Sequence, residues 1–96
     1  MESHYKITTE IHPAERSITL LLNGKFSEDA LMEVQQSVSQ ARGAAQKILI
    51  DLSEVTLVDR KAAEYIAQQT GNDLKVVNCP IYLRRWIRQV SDENGY

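Results

Sequence analysis

ILIDLSEVTLVDRKAAEYIA, residues Ile48–Ala67, decides the fold. Lys47–Leu52 (KILIDL) is a mostly apolar run too short for a helix, and it reads as a central strand buried on both faces. Ser53–Val58 then reads as a turn. Asp59 supplies the N-cap of a following helix, since its carboxylate can accept from a free first-turn N–H. On that helix Ala62, Ala63, Ile66 and Ala67 share one side, with Tyr65 at the margin, and Gly71-Asn72 stops it.

Working outward, Tyr5, Ile7, Thr9 and Ile11 alternate with Lys6, Thr8 and Glu10, the period of a half-buried strand. His12–Glu15 forms a turn around Pro13, and Ser17–Leu22 (SITLLL) makes a second strand closed by Asn23-Gly24, so an antiparallel hairpin is expected. Ser27 caps a helix over about residues 28–42, with Leu31, Val34, Val38 and Ala41 at helical spacing and Gly43 as its C-cap. Past the central stretch, Leu74–Val77 is another strand. Pro80 suits the first turn of a third helix whose inner face is Leu83, Trp86, Ile87 and Val90. Residues 1–90 thus form one domain, and residues 91–96 (SDENGY) a polar, frayed tail. The order β-β-α-β-α-β-α predicts an α/β fold: a mixed four-stranded sheet with three helices packed against it.

Ninety-six residues bury a single core. The apolar share of 43% and the charged share of 25% are those of an ordinary globular domain. A net charge of −2 provides no bulk attraction to nucleic acid or anionic membranes. No segment approaches the ~20 apolar residues of a membrane span, the N-terminus carries no signal-peptide core, and Cys79 is alone, which together favour a cytoplasmic protein.

The element order and the pattern Ile48–Ser53, Val55-Thr56 and Val58-Asp59 resemble the STAS domain family, the module of anti-sigma factor antagonists and sulphate-transporter tails. Leu22 and Gly24 at the end of the second strand, and Val76-Val77-Asn78 before the third helix, extend the likeness over most of the chain. The resemblance implies a non-enzymatic protein-binding module, here in bacterial transcription regulation by partner switching, whose partner is a kinase-fold anti-sigma factor. Its implied interaction residues are Ser53, Thr56, Asp59, Arg60, Lys61 and Glu64. The family's Asp-Ser-Ser-Gly at the helix start reads Asp59-Arg60-Lys61-Ala62, so the phospho-acceptor serine is replaced by a cation. No strand follows the third helix, where the family usually has one. The resemblance also admits a nucleotide- or lipid-binding or transport-associated role. A homodimer through the first strands stays open.

Arg60 and Lys61 oppose the dipole of their helix, so they either mark a functional surface or extend into screening water. Arg84, Arg85 and Arg88 either hold an anion or form a solvated face. Asp51 and Ser53 are expected at the carboxyl end of the central strand, with Ser53 and Thr56 bonded to backbone in the turn. His4 and His12 lack convergent partners and read as surface residues, so no metal or other cofactor is expected. Cys79 reads as a buried, inert thiol. With no Gly-rich phosphate loop and no nucleophile–histidine arrangement, catalysis is not expected.

Overall fold

Lys47–Val58 forms one strand of twelve residues, and the sheet is assembled around it in a computed structural model that describes residues 5–71 and 73–93. The elements are β1 (Tyr5–His12), β2 (Ser17–Phe26), α1 (Glu28–Ala44), β3 (Lys47–Val58), α2 (Arg60–Gln69), β4 (Leu74–Val77) and α3 (Ile81–Glu93), with a 3-10 turn at Pro13–Glu15. The sheet order is β1-β2-β3-β4, antiparallel between β1 and β2 and parallel across β2, β3 and β4. The expected α/β architecture and element order are therefore present. Among the described residues no strand follows α3.

The two parallel steps, β2 to β3 and β3 to β4, move the same way across the sheet. Crossovers of the usual hand therefore put α1 and α2 on one face. That face carries the core: Ile18, Leu20 and Leu22 lie beside Ile48, Ile50, Leu52 and Leu74, all nearly fully buried. Ala30, Val34, Val38 and Ala41 of α1 cover them, together with Ala62, Ala63, Tyr65 and Ile66 of α2 and Leu83 and Val90 of α3. On the opposite face Leu21, Leu49 and Val77 are only half-buried, and Lys6, Lys47 and Lys75 are exposed. The central strand is thus buried on one face rather than two, the pattern of a sheet with helices on one side.

The largest departure from the sequence reading is at Ser53–Val58, which is strand and not turn. Seven steps along β3, from Asp51 to Val58, run beside five along β2, from Leu21 to Phe26, and two register shifts absorb the difference. These bulges leave Leu52, Val55 and Val58 buried at every third position, a spacing that hides a strand from a period-2 search. The same shifts carry β2 past Asn23-Gly24 to Phe26, with Gly24 at φ 92°. Gly43 caps nothing: α1 runs through it to Ala44, and the extended Ala45 ends the helix with its N–H on the Ala41 carbonyl at 2.8 Å. Tyr65 is buried rather than marginal. Pro80 precedes α3 and offers its carbonyl to the Arg84 N–H. Helix α3 continues to Glu93, so Ser91–Glu93 are helix, not tail. His4, Asn72 and residues 94–96 lie outside the described residues.

The two glycines predict opposite outcomes. Gly24→Ala should destabilise the domain by about 1–2 kcal/mol, because an L-residue is strained at its φ. Gly43→Ala has open space around it and should stabilise by about 0.5–1 kcal/mol. Urea unfolding of both variants checks the signs.

Candidate functional site

The end of β3 and the start of α2 meet the start of α1 at one residue. Phe26 and Val58 are register partners on adjacent parallel strands, so the helices that follow them begin side by side. Asp59 lies between them in extended conformation, φ −80° and ψ 176°. Its Oδ1 accepts the Ala62 N–H at 2.9 Å, the expected N-cap of α2. Its Oδ2 accepts the Glu28 N–H at 2.9 Å, the first of α1. Its own N–H donates to the Phe26 carbonyl at 3.2 Å. Ser27, expected to cap α1, makes no side-chain cap bond; the helix start is met instead by Asp59, at its first N–H. One negative charge thus faces the positive ends of two helices. The neighbouring Val58 carbonyl accepts from Trp86 Nε1 at 2.8 Å, which ties α3 to the same junction.

Arg60 and Lys61 project from this anchored corner. Arg60 meets Glu93 at 2.8 Å and Glu64 at 3.9 Å, and Lys61 meets Glu28 at 3.8 Å. Each cation that opposes the dipole of α2 is therefore matched by a carboxylate from the same helix or from a neighbouring one. The pairs are solvent-exposed and contribute little to stability, on the order of 0–1 kcal/mol each. Leu57, two residues before Asp59 on β3, is an exposed apolar side chain, 48% accessible. The sequence reading missed Leu57, Glu28, Glu93 and the role of Trp86, since each joins the site through a contact distant in sequence or through the β3 bulges.

Structure separates the remaining candidates. Thr56 is exposed three residues before Asp59 and stays in this corner. Ser53 lies up to about 20 Å back along the strand. It belongs instead with Asp51, whose Oδ1 accepts the Ser53 N–H at 2.8 Å and whose Oδ2 accepts from Asn78 Nδ2 at 2.9 Å. Asp51 is consequently mid-strand, not at a strand end, and it pins the β4–α3 turn, where Asn78 takes φ 53°. Burial pushes its carboxyl up, but the Ser53 N–H, the Asn78 amide and the Ser53 hydroxyl outweigh burial and hold it below the ordinary Asp range. Arg84, Arg85 and Arg88 are all exposed on α3. Arg84 and Arg88 border shallow grooves beside α2, and Arg85 is in neither wall. Cys79 is half-buried, and burial pushes its thiol up against the opposing charge of Arg84. Among the described residues no group of His, Cys, Asp and Glu side chains could hold a metal ion, and no helix is long and apolar enough to cross a membrane.

No protein-family model and no curated protein matches the sequence. Solved structures do match the fold. The chain is similar to a STAS-domain anti-sigma factor antagonist from Rhodobacter sphaeroides, with a TM-score of 0.62 and 15% identity over 79% of this chain and 88% of that one. It is likewise similar to the anti-sigma factor antagonist SpoIIAA in its unphosphorylated form, with a TM-score of 0.68 and 14% identity over 86% of this chain and 82% of that one. The fold is that of STAS domains, as the Ile48–Ala67 stretch implied.

Two measurements test the site's construction. Asp59→Ala should cost about 2 kcal/mol, one cap per helix, and Asp59→Asn about half, because only one of its two acceptors survives. Asp51, with a lowered folded value, stabilises the domain above the ordinary Asp range and loses that contribution as pH falls through the folded value. Asp51→Asn should therefore flatten the acid limb of stability below about pH 4, read by urea unfolding at several pH values.

Proposed function

We propose that the domain is a non-enzymatic protein-interaction module of the anti-sigma factor antagonist kind, engaging its partner through the corner formed by the end of β3 and the start of α2. The observation that carries this reading is the anchored corner itself. Asp59 fixes the backbone from both helices and Trp86 braces it from a third, while Leu57, Arg60, Lys61 and Glu64 are left at the surface or its margin. An exposed apolar side chain and charges of both signs near one backbone corner pinned by hydrogen bonds are suited to a specific protein contact. The fold shared with anti-sigma factor antagonists supports the same partner class, a kinase-fold anti-sigma factor in bacterial partner-switching regulation.

In this reading Arg60 and Lys61 stand where the family pattern has its serines, which makes binding independent of serine phosphorylation there. Their ion pairs with Glu28, Glu64 and Glu93 also supply the carboxylate contacts that a partner's cations would compete for. A second reading, a small amphipathic ligand, is supported by a groove of about 490 Å³ walled by Ile66, Val76 and Ile87, with Lys75 and Arg84 at its margin.

Affinity capture from the native cell should recover one protein partner whether or not phosphatase is added. Leu57→Asp and Arg60→Glu should each weaken that capture at least tenfold while leaving the melting temperature nearly unchanged. Full capture by both variants would remove the corner from the interface. Lys61→Ser with unchanged affinity, and no phosphate gained from a cognate kinase, would end the replaced-switch reading. For the second reading, a flat melting temperature across nucleotides and fatty acids would exclude the groove as a ligand site.

A further inference from the structure

The edge of the sheet at β1 has the properties of a self-pairing strand. β1 pairs with β2 over all eight residues, Tyr5–His12, with no register shift, and among the described residues it has no strand on its other side. It contains no proline or bulge to blunt the edge, and the charges it carries, Lys6 and Glu10, are of opposite sign. Ile11, on the helix-bearing side of the sheet, is 67% exposed. On the opposite side Lys6 and Glu10 are exposed, and neither has an ion-pair partner among the described residues.

A strand can pair with a copy of itself only in certain registers. In an antiparallel ladder, two facing residues either both turn their N–H and C=O toward the partner or both turn them away. That orientation alternates along a strand, so odd residues must face odd and even must face even. Registers centred on Ile7, Thr8, Thr9 or Glu10 satisfy this and keep five or more residues paired within β1. Centring on Glu10 sets the two Glu10 carboxylates against each other. Centring on Ile7 sets Lys6 against Thr8 and leaves Glu10 unpaired. Centring on Thr9 sets Lys6 against His12 and Thr8 against Glu10. Centring on Thr8 sets Lys6 opposite Glu10 twice, once on each side of the axis, and sets Tyr5 over the exposed Ile11 of the other copy.

We propose that the protein forms a two-fold dimer by antiparallel β1–β1 pairing centred on Thr8, joining two four-stranded sheets into one of eight strands. The helices allow it. Because α1 packs over β2 and β3, the two copies of α1 would stand roughly 20 Å apart across the seam, about two helix diameters. This interface lies on the strand edge, away from the corner at Asp59, so it neither requires nor blocks the binding proposed there.

Sedimentation of the full chain over a concentration series tests it. Lys6→Glu and Glu10→Lys each put like charges opposite one another at both ends of the seam, and each should raise the dimer Kd roughly tenfold or more. Mixed together they should form a heterodimer, since the first variant then brings only carboxylates to the two charged positions and the second only ammonium groups. The double variant Lys6→Glu/Glu10→Lys should recover the homodimer. Both residues are exposed, so circular dichroism should show every variant folded. A wild-type chain that stays monomeric up to ~1 mM overturns the proposal. So does a double variant no better than the singles, which would mean a different register or an edge that pairs with another protein.

Discussion

A single carboxylate placed between two helix N-termini is the constraint on which the rest of this structure depends. The parallel pairing of β2 with β3 brings Phe26 and Val58 level, so α1 and α2 must start next to each other with their first N–H groups converging. Those donors carry partial positive charge, and unmet they would leave two helix starts unstable. Asp59 meets both, with one oxygen for each helix. Asparagine offers one acceptor, and alanine none. The position therefore requires a two-acceptor side chain, and the short reach of aspartate keeps that chain next to its own helix.

From that constraint follows the character of the surface around it. Because the backbone at Val58-Asp59 is held by β2, α1, α2 and α3 together, the side chains beside it are presented on a rigid base. Arg60 and Lys61 can occupy a helix start unfavourable to cations because Glu28, Glu64 and Glu93 are brought within reach by the same convergence. Any movement of the α2 start would strain the Glu28 hydrogen bond as well, so the starts of α1 and α2 are coupled. The interaction proposed for this corner is expected to work by fit to a preformed surface more than by rearrangement.

The two edges of the sheet differ in kind. β4 is four residues long and leaves the second half of β3 without a strand on that side, where Trp86 of α3 reaches the Val58 carbonyl instead. β1 is twice as long, unbulged, and among the described residues unpaired along its outer side. Irregularity in this molecule is concentrated in β2 and β3, where the bulges set Leu57 and Thr56 at the surface, and regularity at β1, where a straight ladder can be continued.

The sequence by itself determined the element order, the mixed sheet and the cap at Asp59, because these rest on local signals: period-2 and helical spacing of apolar residues, and an acceptor before a helix. What local signals could not determine was settled by long-range pairing. Leu52, Val55 and Val58 repeat every third residue, which looks like a turn until β2 lies alongside and the bulges give the spacing its cause. Gly43 looks like a helix stop until the packing of Ala41 on the sheet carries α1 through it. Ser27 looks like the cap of α1, and Arg60 and Lys61 look like unmatched cations. Asp59, Glu28 and Glu93 come from elsewhere in the chain to change each of those readings, because hydrogen bonds and charges are satisfied by whatever the folded chain brings near.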